Sequence, residues 1–507
     1  MDFASIVLFL MVYYLRPQEW IGFLNNVHPV QLVMLMALFS LISREQKLAI
    51  KDFFRTPHDW IMTAYFAWTV FASPTPIDTF KSIESAILTY YVGVQCLNSL
   101  YRIKKLIAWW AAFIVIIALL AISSEYGFDP FGSYDRTHGL MKGRLVLHLS
   151  IFNNPNTLAH SIVPCIPMLF FLLFWKQIFM KAWIVLLLIP LWCIFLTQSK
   201  GAFLCSGVVL IATLCFGRPK IAQIVILVFA STMGWAALYQ LPRMGELNKA
   251  RSDAAIQGRI AAWTFGLQCM ETRTFGIGLS NFEREFFRHG PLEYPEHPKK
   301  FWVKIGDQEV LKQIYRGHHY SKATHGAYNQ NGAELGYTGL FLFVGAIYCC
   351  MKTVLVAKTT NTEEERIRRI LFCIILSYAV SSWMVDFCYR PTFFMFAAAT
   401  GAFHRYLRGL LPGQIASVPI SDGNDGIPLP QRVPAGQPAW AGAAMKVRAP
   451  LPDPAPRPIA TTMEEPIEDV ETFPKINWRY FGLFDFIVTW VLMTAVVRYW
   501  EHILRTM

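Results

Sequence analysis

The chain has 507 residues, of which 54% are hydrophobic, 15% are aromatic and only 16% are charged. Soluble domains average about 25% charged residues, so this composition excludes a series of soluble domains. The formal net charge of +12 is typical of basic anchors at a bilayer surface in such an apolar chain. We therefore expect an all-α polytopic membrane protein whose partner is the membrane and not nucleic acid.

Twelve segments are apolar enough for membrane-spanning helices, which need roughly 20 residues to cross a hydrocarbon core about 30 Å thick. Lys and Arg favour one set of the alternating short loops, with fifteen residues against four in the opposite set. Because cytoplasmic loops carry the basic excess, this bias predicts a cytoplasmic N-terminus. It also predicts two periplasmic loops, at about 124–155 and 241–332, the larger of them partly helical. The predicted spans are 3–15, 28–43, 59–73, 83–100, 104–123, 156–175, 182–199, 201–217, 221–240, 333–351, 367–387 and 391–406.

Beyond this transmembrane domain of residues 1–406, the composition changes. Residues 407–478 are rich in Pro and Ala, which predicts a cytoplasmic linker without helices, since Pro removes backbone donors. Residues 479–507 are expected to form a C-terminal apolar helix. Its central part, 480–500, is long enough for a thirteenth span but contains Asp485, so a span and an interfacial helix both remain open.

Charged residues at the ends of the predicted spans indicate where chemistry takes place. Glu84, Lys200, Glu334, Asp386 and Arg390 all map to outer ends, whereas no comparable set maps to mid-membrane. Single residues of this kind often only reach the interface or form local ion pairs, and Asp386 and Arg390 have the spacing of a pair on one helix face. The group as a whole favours a binding or catalytic site at the external face over a transport path.

Two segments of the larger loop contain candidate functional residues. In residues 252–282, Arg259 and Trp263 are four apart on a predicted helix that a Gly-rich turn follows, so Arg259 either clamps a phosphate or faces lipid headgroups. In residues 324–343, three alternatives are open for His325: an acid/base group, a satisfied interfacial side chain and a metal ligand. His318 and His319 are only a weak metal pair, and no other spacing resembles a metal site. We therefore expect neither a metal nor a cofactor.

These segments resemble the O-antigen ligase and polymerase superfamily. The resemblance covers about 140–345 and includes Ser252 and Asp253 ahead of the Arg259–Trp263 helix. Its motifs are, in chain order, GRLVLHLSIFNNPNTLAHSI at 143–162, LTQSKGAF at 196–203, the Arg-x-x-x-Trp helix, GIGLSNF at 276–282 and HGAYNQNGAELGYTGL at 325–340.

The resemblance implies a metal-independent glycosyltransferase with a C-type membrane fold in the bacterial inner membrane. It would transfer a glycan from undecaprenyl pyrophosphate to an acceptor hydroxyl, on lipid A core or another acceptor, at the periplasmic face. His325 would be the general base, and Arg259 the catalytic cation at the pyrophosphate. The family usually has Arg at position 200 and Asn or Ser at position 326, where this chain has Lys200 and Gly326. The implied substrate-binding residues are Lys200, Arg144, Asn156, Tyr328 and Glu334.

Other activities also fit these features. A polysaccharide polymerase and a protein O-oligosaccharyltransferase of the same superfamily share the lipid-linked glycan donor and differ in the acceptor, a glycolipid or a protein. A small-anion transporter would also use many spans and basic groups, but the chain lacks the internal repeats that are common among transporters.

Overall fold

The described residues are mainly α-helical. The computed structural model describes residues 2–24, 27–43, 50–173, 180–240, 254–292, 299–305, 308–314, 319–410 and 477–506. The helices of the first half are α1 (Asp2–Leu15), α2 (Pro17–Trp20), α3 (Pro29–Ile42), α4 (Pro57–Phe71), α5 (Pro76–Cys96), α6 (Leu100–Ser124), α7 (Ser133–His138), α8 (Pro155–Ile162), α9 (Cys165–Leu173), α10 (Met180–Leu196), α11 (Lys200–Cys215) and α12 (Lys220–Gln240). Those of the second half are α13 (Ala254–Thr272), α14 (Phe282–His289), α15 (Ala327–Val356), α16 (Thr362–Ser381), α17 (Pro391–Leu407) and α18 (Leu483–Thr506).

Every predicted span coincides with a helix, and 156–175 coincides with the pair α8 and α9, which Pro164 separates. Among the described residues, four helical segments are long and apolar enough to cross a bilayer: α6, Pro155–Leu173, α15 and α18. This architecture fits a polytopic, helical membrane protein. The number of crossings and the sidedness of the loops stay predictions.

The large predicted loop also contains strands, which the all-α prediction did not include. Strands β1 (Lys299–Ile305) and β2 (Gln308–Ile314) pair antiparallel, with Trp302 opposite Leu311 and Val303 opposite Val310. Large β-branched and aromatic residues such as Trp302, Val303 and Val310 favour strands. The sequence therefore did carry a strand signal here.

Helix α15 is interrupted at Gly336, whose backbone (φ 69°, ψ −173°) is not helical. The break leaves carbonyl groups of the preceding turn without helical partners, and donors from elsewhere bind them. A Cβ at Gly336 would lie 2.2 Å from the Thr274 carbonyl oxygen, so the turn after α13 packs directly on the break. The bonds are Ile277 N to Ala333 O (3.0 Å), Gly278 N to Glu334 O (2.8 Å) and Trp68 Nε1 to Leu335 O (2.9 Å).

Helix α18 lies antiparallel to α15. Near its start, Asp485 accepts a hydrogen bond from Lys352 Nζ (2.6 Å), and both side chains are buried. Near its end, Trp500 packs on Trp383, with ring centroids 5.6 Å apart. Of the two open alternatives for 480–500, this placement favours a span along α15. The predicted linker lies outside the described residues, apart from 407–410 and 477–478 at its ends.

Candidate functional site

Three other helices are attached to the C-terminal end of α16. Ser381 Oγ bonds to His160 Nδ1 of α8 (2.8 Å) and contacts Cys205 Sγ of α11 (3.4 Å). The backbone carbonyl oxygen of the following residue, Ser382, accepts a hydrogen bond from Ala327 N, the first amide of α15 (2.7 Å). Residues far apart in sequence are thereby brought to one place, because α8, α11 and α15 share this attachment point.

The first group of predicted site residues lies at the starts of α8 and α11. Arg144 Nη2 donates to Asn156 Oδ1 (2.8 Å), and Ser199 Oγ donates to the same oxygen (2.9 Å). Ser199 also caps α11 and directly precedes Lys200. Arg144 is held a second time by the Thr197 carbonyl oxygen (3.2 Å). Asn156 therefore joins the segments that carry Arg144 and Lys200, and helix N-termini add partial positive charge here.

The second group contains Arg259 and His325. Arg259 lies on α13, which is fixed next to the His325 segment by a hydrogen bond from Trp263 Nε1 to Thr324 O (2.9 Å). The charge of Arg259 acts on both His325 and the buried His160. A Cβ at Gly201, beside Lys200, would lie 3.3 Å from His160 Nε2. His160 thus packs beside the start of α11 and lies within the electrostatic range of Arg259.

A further cation approaches the second group. Lys322 interacts electrostatically with His325, and a Cβ at Gly258 would lie 2.5 Å from Lys322 Nζ. A glycine directly before Arg259 therefore lets Lys322 pack against α13. Sequence reasoning missed Lys322, although its spacing of three residues from His325 was a signal for proximity.

The electrostatic environment keeps the His325 imidazole neutral. Its pKa is lowered to about 4, first by burial and then by the nearby charge of Arg259, with Lys322 adding to the effect. Asp386 acts in the opposite direction and raises this pKa. A neutral imidazole at physiological pH is able to accept a proton.

The backbone at His325 is strained. Its φ of 51° is left-handed, which costs of the order of 1–3 kcal/mol for a residue other than Gly. The neighbours hold it there, because Thr324 O is bound by Trp263 and Ala327 N by Ser382. Retained strain of this kind is common where a side chain must point in one functional direction.

A polar cavity of about 230 Å³ lies next to His325. The buried Glu334 carboxylate lines it and accepts from Phe282 N (3.3 Å) and Gln330 Nε2 (3.5 Å). Its lining residues are Ser280, Phe282, Glu283, Ala323, Thr324, Gln330, Glu334 and Asp386. Glu334 thus lies within the site, at the broken turn of α15.

Two further residues lie differently from their expected arrangement. Tyr328 is buried and donates from its hydroxyl to Ala379 O (3.0 Å), so it supports the site from the core side, and direct substrate contact stays a prediction. The prediction that Asp386 and Arg390 pair on one helix face is wrong, because α16 ends at Ser381 and the residues from Asp386 to Arg390 are not helical. Arg390 instead lies over the Phe387 ring, 4.8 Å from its centroid.

Residues 183–344 match the family model described as O-antigen ligase. The protein carries a domain of the O-antigen ligase superfamily. The match covers about a third of the chain and includes Lys200, Arg259, His325, Tyr328 and Glu334. The other two residues that the resemblance implied, Arg144 and Asn156, precede this ligase domain but bond to its Thr197 and Ser199. No curated protein matches the chain.

Some predictions fall outside the described residues or find no counterpart. Ser252, Asp253 and His318 lie outside them. His319 is exposed, with its ring 5.7 Å from that of Phe287. Among the residues that the structure describes, no group of three or more His, Cys, Asp or Glu side chains is placed to hold a metal ion.

Proposed function

We propose that the protein is a glycan ligase that works without a metal. It would transfer a glycan from undecaprenyl pyrophosphate to an acceptor hydroxyl at the periplasmic face of the bacterial inner membrane. The observation that carries this proposal is the placement of a neutral His325 within the electrostatic range of Arg259, inside an O-antigen ligase domain. A proton acceptor and an anion-binding cation are the two groups that such a transfer requires.

The donor would bind where the cations and helix starts meet. Charge develops on the pyrophosphate as the bond from the anomeric carbon to the phosphate oxygen breaks, and preorganised cations stabilise it. Arg259, Lys200 and Arg144 supply positive charge from three segments, and the N-termini of α8 and α11, which meet at the Asn156–Ser199 bond, add partial positive charge. The Asn156 bonds to Arg144 and Ser199 keep two of these segments in a fixed geometry.

His325 would activate the acceptor. Its imidazole takes the proton of the acceptor hydroxyl while the hydroxyl oxygen forms its bond to the anomeric carbon. The pyrophosphate leaves with the electron pair of the broken bond. General base catalysis of this type typically contributes about 10²–10⁴-fold in rate.

The polar cavity next to His325 would hold part of the acceptor. Carboxylates and amides are suitable partners for sugar hydroxyls, and the cavity offers Glu334, Asp386 and Gln330. Its volume of about 230 Å³ fits one sugar ring more closely than a whole oligosaccharide. Glu334 and Asp386 would therefore help to select the acceptor, with Tyr328 supporting the wall from behind.

Substitutions of His325 test the proposal. We expect His325→Asn to fold, because Asn tolerates a left-handed backbone, and to lose transfer by about 10²-fold or more, because an amide is not a base. The measurement incubates purified protein with undecaprenyl-pyrophosphate-linked glycan and acceptors without added metal, and records the release of undecaprenyl pyrophosphate. His319→Ala, an exposed His of the same segment, is the matched control and should keep its rate.

The choice of acceptors in the same assay separates the related activities. Lipid A core, a second lipid-linked glycan and a Ser/Thr peptide represent a ligase, a polymerase and a protein O-oligosaccharyltransferase. Transfer to lipid A core alone is the expected result. Full transfer by His325→Asn would disprove the assigned base, and no transfer by the unaltered protein to any acceptor would disprove the proposed activity.

A further inference from the structure

A second site lies at the opposite end of α15 from His325. A crevice of about 600 Å³ opens between α4, α15 and the segment that leads into α18. We call it the arginine crevice. Its described lining contains three arginines, Arg55, Arg408 and Arg479, and no acidic side chain. The rest of this lining is Thr56, Pro57, Trp60, Ile61, Ala64, Phe341, Leu342, Tyr480 and Phe481.

The three arginines lie at the same end of the crevice. Arg55 precedes α4 and donates to Leu410 O just beyond α17. Arg408 lies over the Tyr480 ring, 5.8 Å from its centroid, and Tyr480 O accepts from Lys352 near the end of α15 (2.9 Å). The segments before α4, after α17 and before α18 therefore meet here, with their basic groups together.

The arginines differ in how they are held. Arg55 is already tied to Asp52, with Nε 3.0 Å from Oδ1, and to Leu410. It therefore fixes the segments. Arg408 is oriented by the face of the Tyr480 ring, which leaves the edge of a guanidinium able to donate. Arg479 is exposed. Arg408 and Arg479 thus supply two cations to the lining.

The combination of cations and an apolar wall selects the occupant. A guanidinium pair recognises phosphate oxygens by paired hydrogen bonds. A small hydrophilic anion would leave the walls of Ile61, Phe341 and Leu342 unused, and a neutral lipid would leave the cations unused. An anionic amphiphile satisfies both, since burial of its chain against apolar side chains is favourable.

We propose that the arginine crevice binds one anionic phospholipid. Its phosphate lies between Arg408 and Arg479, and the upper part of one acyl chain lies along Trp60, Ile61 and Phe341. The rest of the lipid stays in the bilayer, because the crevice holds only part of such a molecule. The predicted topology places this end in the cytoplasmic leaflet, where anionic lipids are concentrated.

The test compares lipid binding by the full-length protein and its variants. Native mass spectrometry in detergent measures titration with phosphatidylglycerol and, separately, phosphatidylcholine. The double variant Arg408→Gln, Arg479→Gln should bind phosphatidylglycerol about 30-fold more weakly, from about 1 kcal/mol for each basic residue. Ala64→Trp, at an exposed position of α4 that lines the crevice, should also weaken binding, since it blocks the wall without altering charge.

Arg498→Gln is the matched control, because Arg498 is an exposed arginine of α18 that pairs with Glu501 (2.9 Å) away from the crevice. It should bind like the unaltered protein. Equal binding of the two lipids, or an equal loss in the control, would overturn the proposal. So would displacement by inorganic phosphate with no effect of Ala64→Trp, which would indicate a soluble anion.

Discussion

The charge state of His325 determines how transfer should depend on pH. Because the pKa of this imidazole is about 4, its base form prevails above that value. We expect the transfer rate to stay level from pH 7 to pH 5 and to fall only as the pH approaches 4. Replacing Arg259 with Gln removes a repelling charge, so the pKa of His325 should rise.

The low pKa of His325 and its expected rise in Arg259→Gln are both measurable without enzymatic turnover. Diethyl pyrocarbonate modifies the neutral imidazole, and mass spectrometry follows its reaction with His325. The dependence of this rate on pH reports the pKa of His325 even in inactive variants. Asp386→Asn is the opposite control, because Asp386 raises this pKa and its loss should lower it. A midpoint near 6.5 in the unaltered protein would contradict the assigned environment.

Several residues that the sequence singled out as site candidates lie near one another, while their roles toward a substrate stay predictions. His325 and Arg259 lie within electrostatic range of each other, and Arg144 and Asn156 are bonded directly. The sequence analysis placed Asp386 on one helix face with Arg390, because the apolar run continues past Ser381 and concealed the end of α16. A helix boundary inside a hydrophobic segment leaves little trace in composition.

At the scale of elements, the break in α15 should depend on its glycine. We expect Gly336→Ala to lower the free energy of unfolding by more than about 3 kcal/mol. Its backbone conformation is almost restricted to Gly, and the added Cβ would lie 2.2 Å from Thr274 O. Thermal unfolding in detergent measures the loss as a lower melting temperature.

Gly207→Ala is the matched substitution. Gly207 lies inside α11, and a Cβ there meets nothing within 4 Å. The melting temperature should therefore not fall, since Ala favours a helix over Gly. Equal melting temperatures for the two variants would show that the break is not needed for folding.

Helix positions were well predicted, whereas their irregularities were not. The length of their apolar segments identified α15 and α18, because a helix that crosses a bilayer needs about 20 apolar residues. The break at Gly336 depends on donors from α4 and from the turn after α13, which are distant in sequence. The partner of Asp485 is likewise Lys352, on another helix. Such long-range contacts are not visible in local periodicity.

At the scale of the whole molecule, the two parts of the C-terminal region should behave differently when removed. Replacing 411–476 with a short Gly/Ser linker leaves the contact of Arg408 with Tyr480 and the pair of Lys352 with Asp485 in place. We expect this variant to fold and to keep most of its transfer activity, since the ligase domain lies elsewhere. Size-exclusion chromatography and the transfer assay measure both properties.

Deletion of 477–507 should be much more damaging. It removes Asp485 and leaves the buried Lys352 without this partner, at a cost of about 3–5 kcal/mol. Loss of Trp500 also uncovers apolar surface. Adding Lys352→Met to this deletion should restore part of the folded yield. A well-folded deletion that needs no second change would contradict the role assigned to α18.

The end of α16 has one more consequence. Ser381 and Ser382 contact α8, α11 and the first amide of α15. Helix α11 begins at Lys200, and α15 begins two residues after His325, so the segments that carry these two residues share one attachment point. In the proposed reaction, a local distortion there should impair donor affinity and proton removal in equal measure, and a defect that separates these two steps must arise in another part of the molecule.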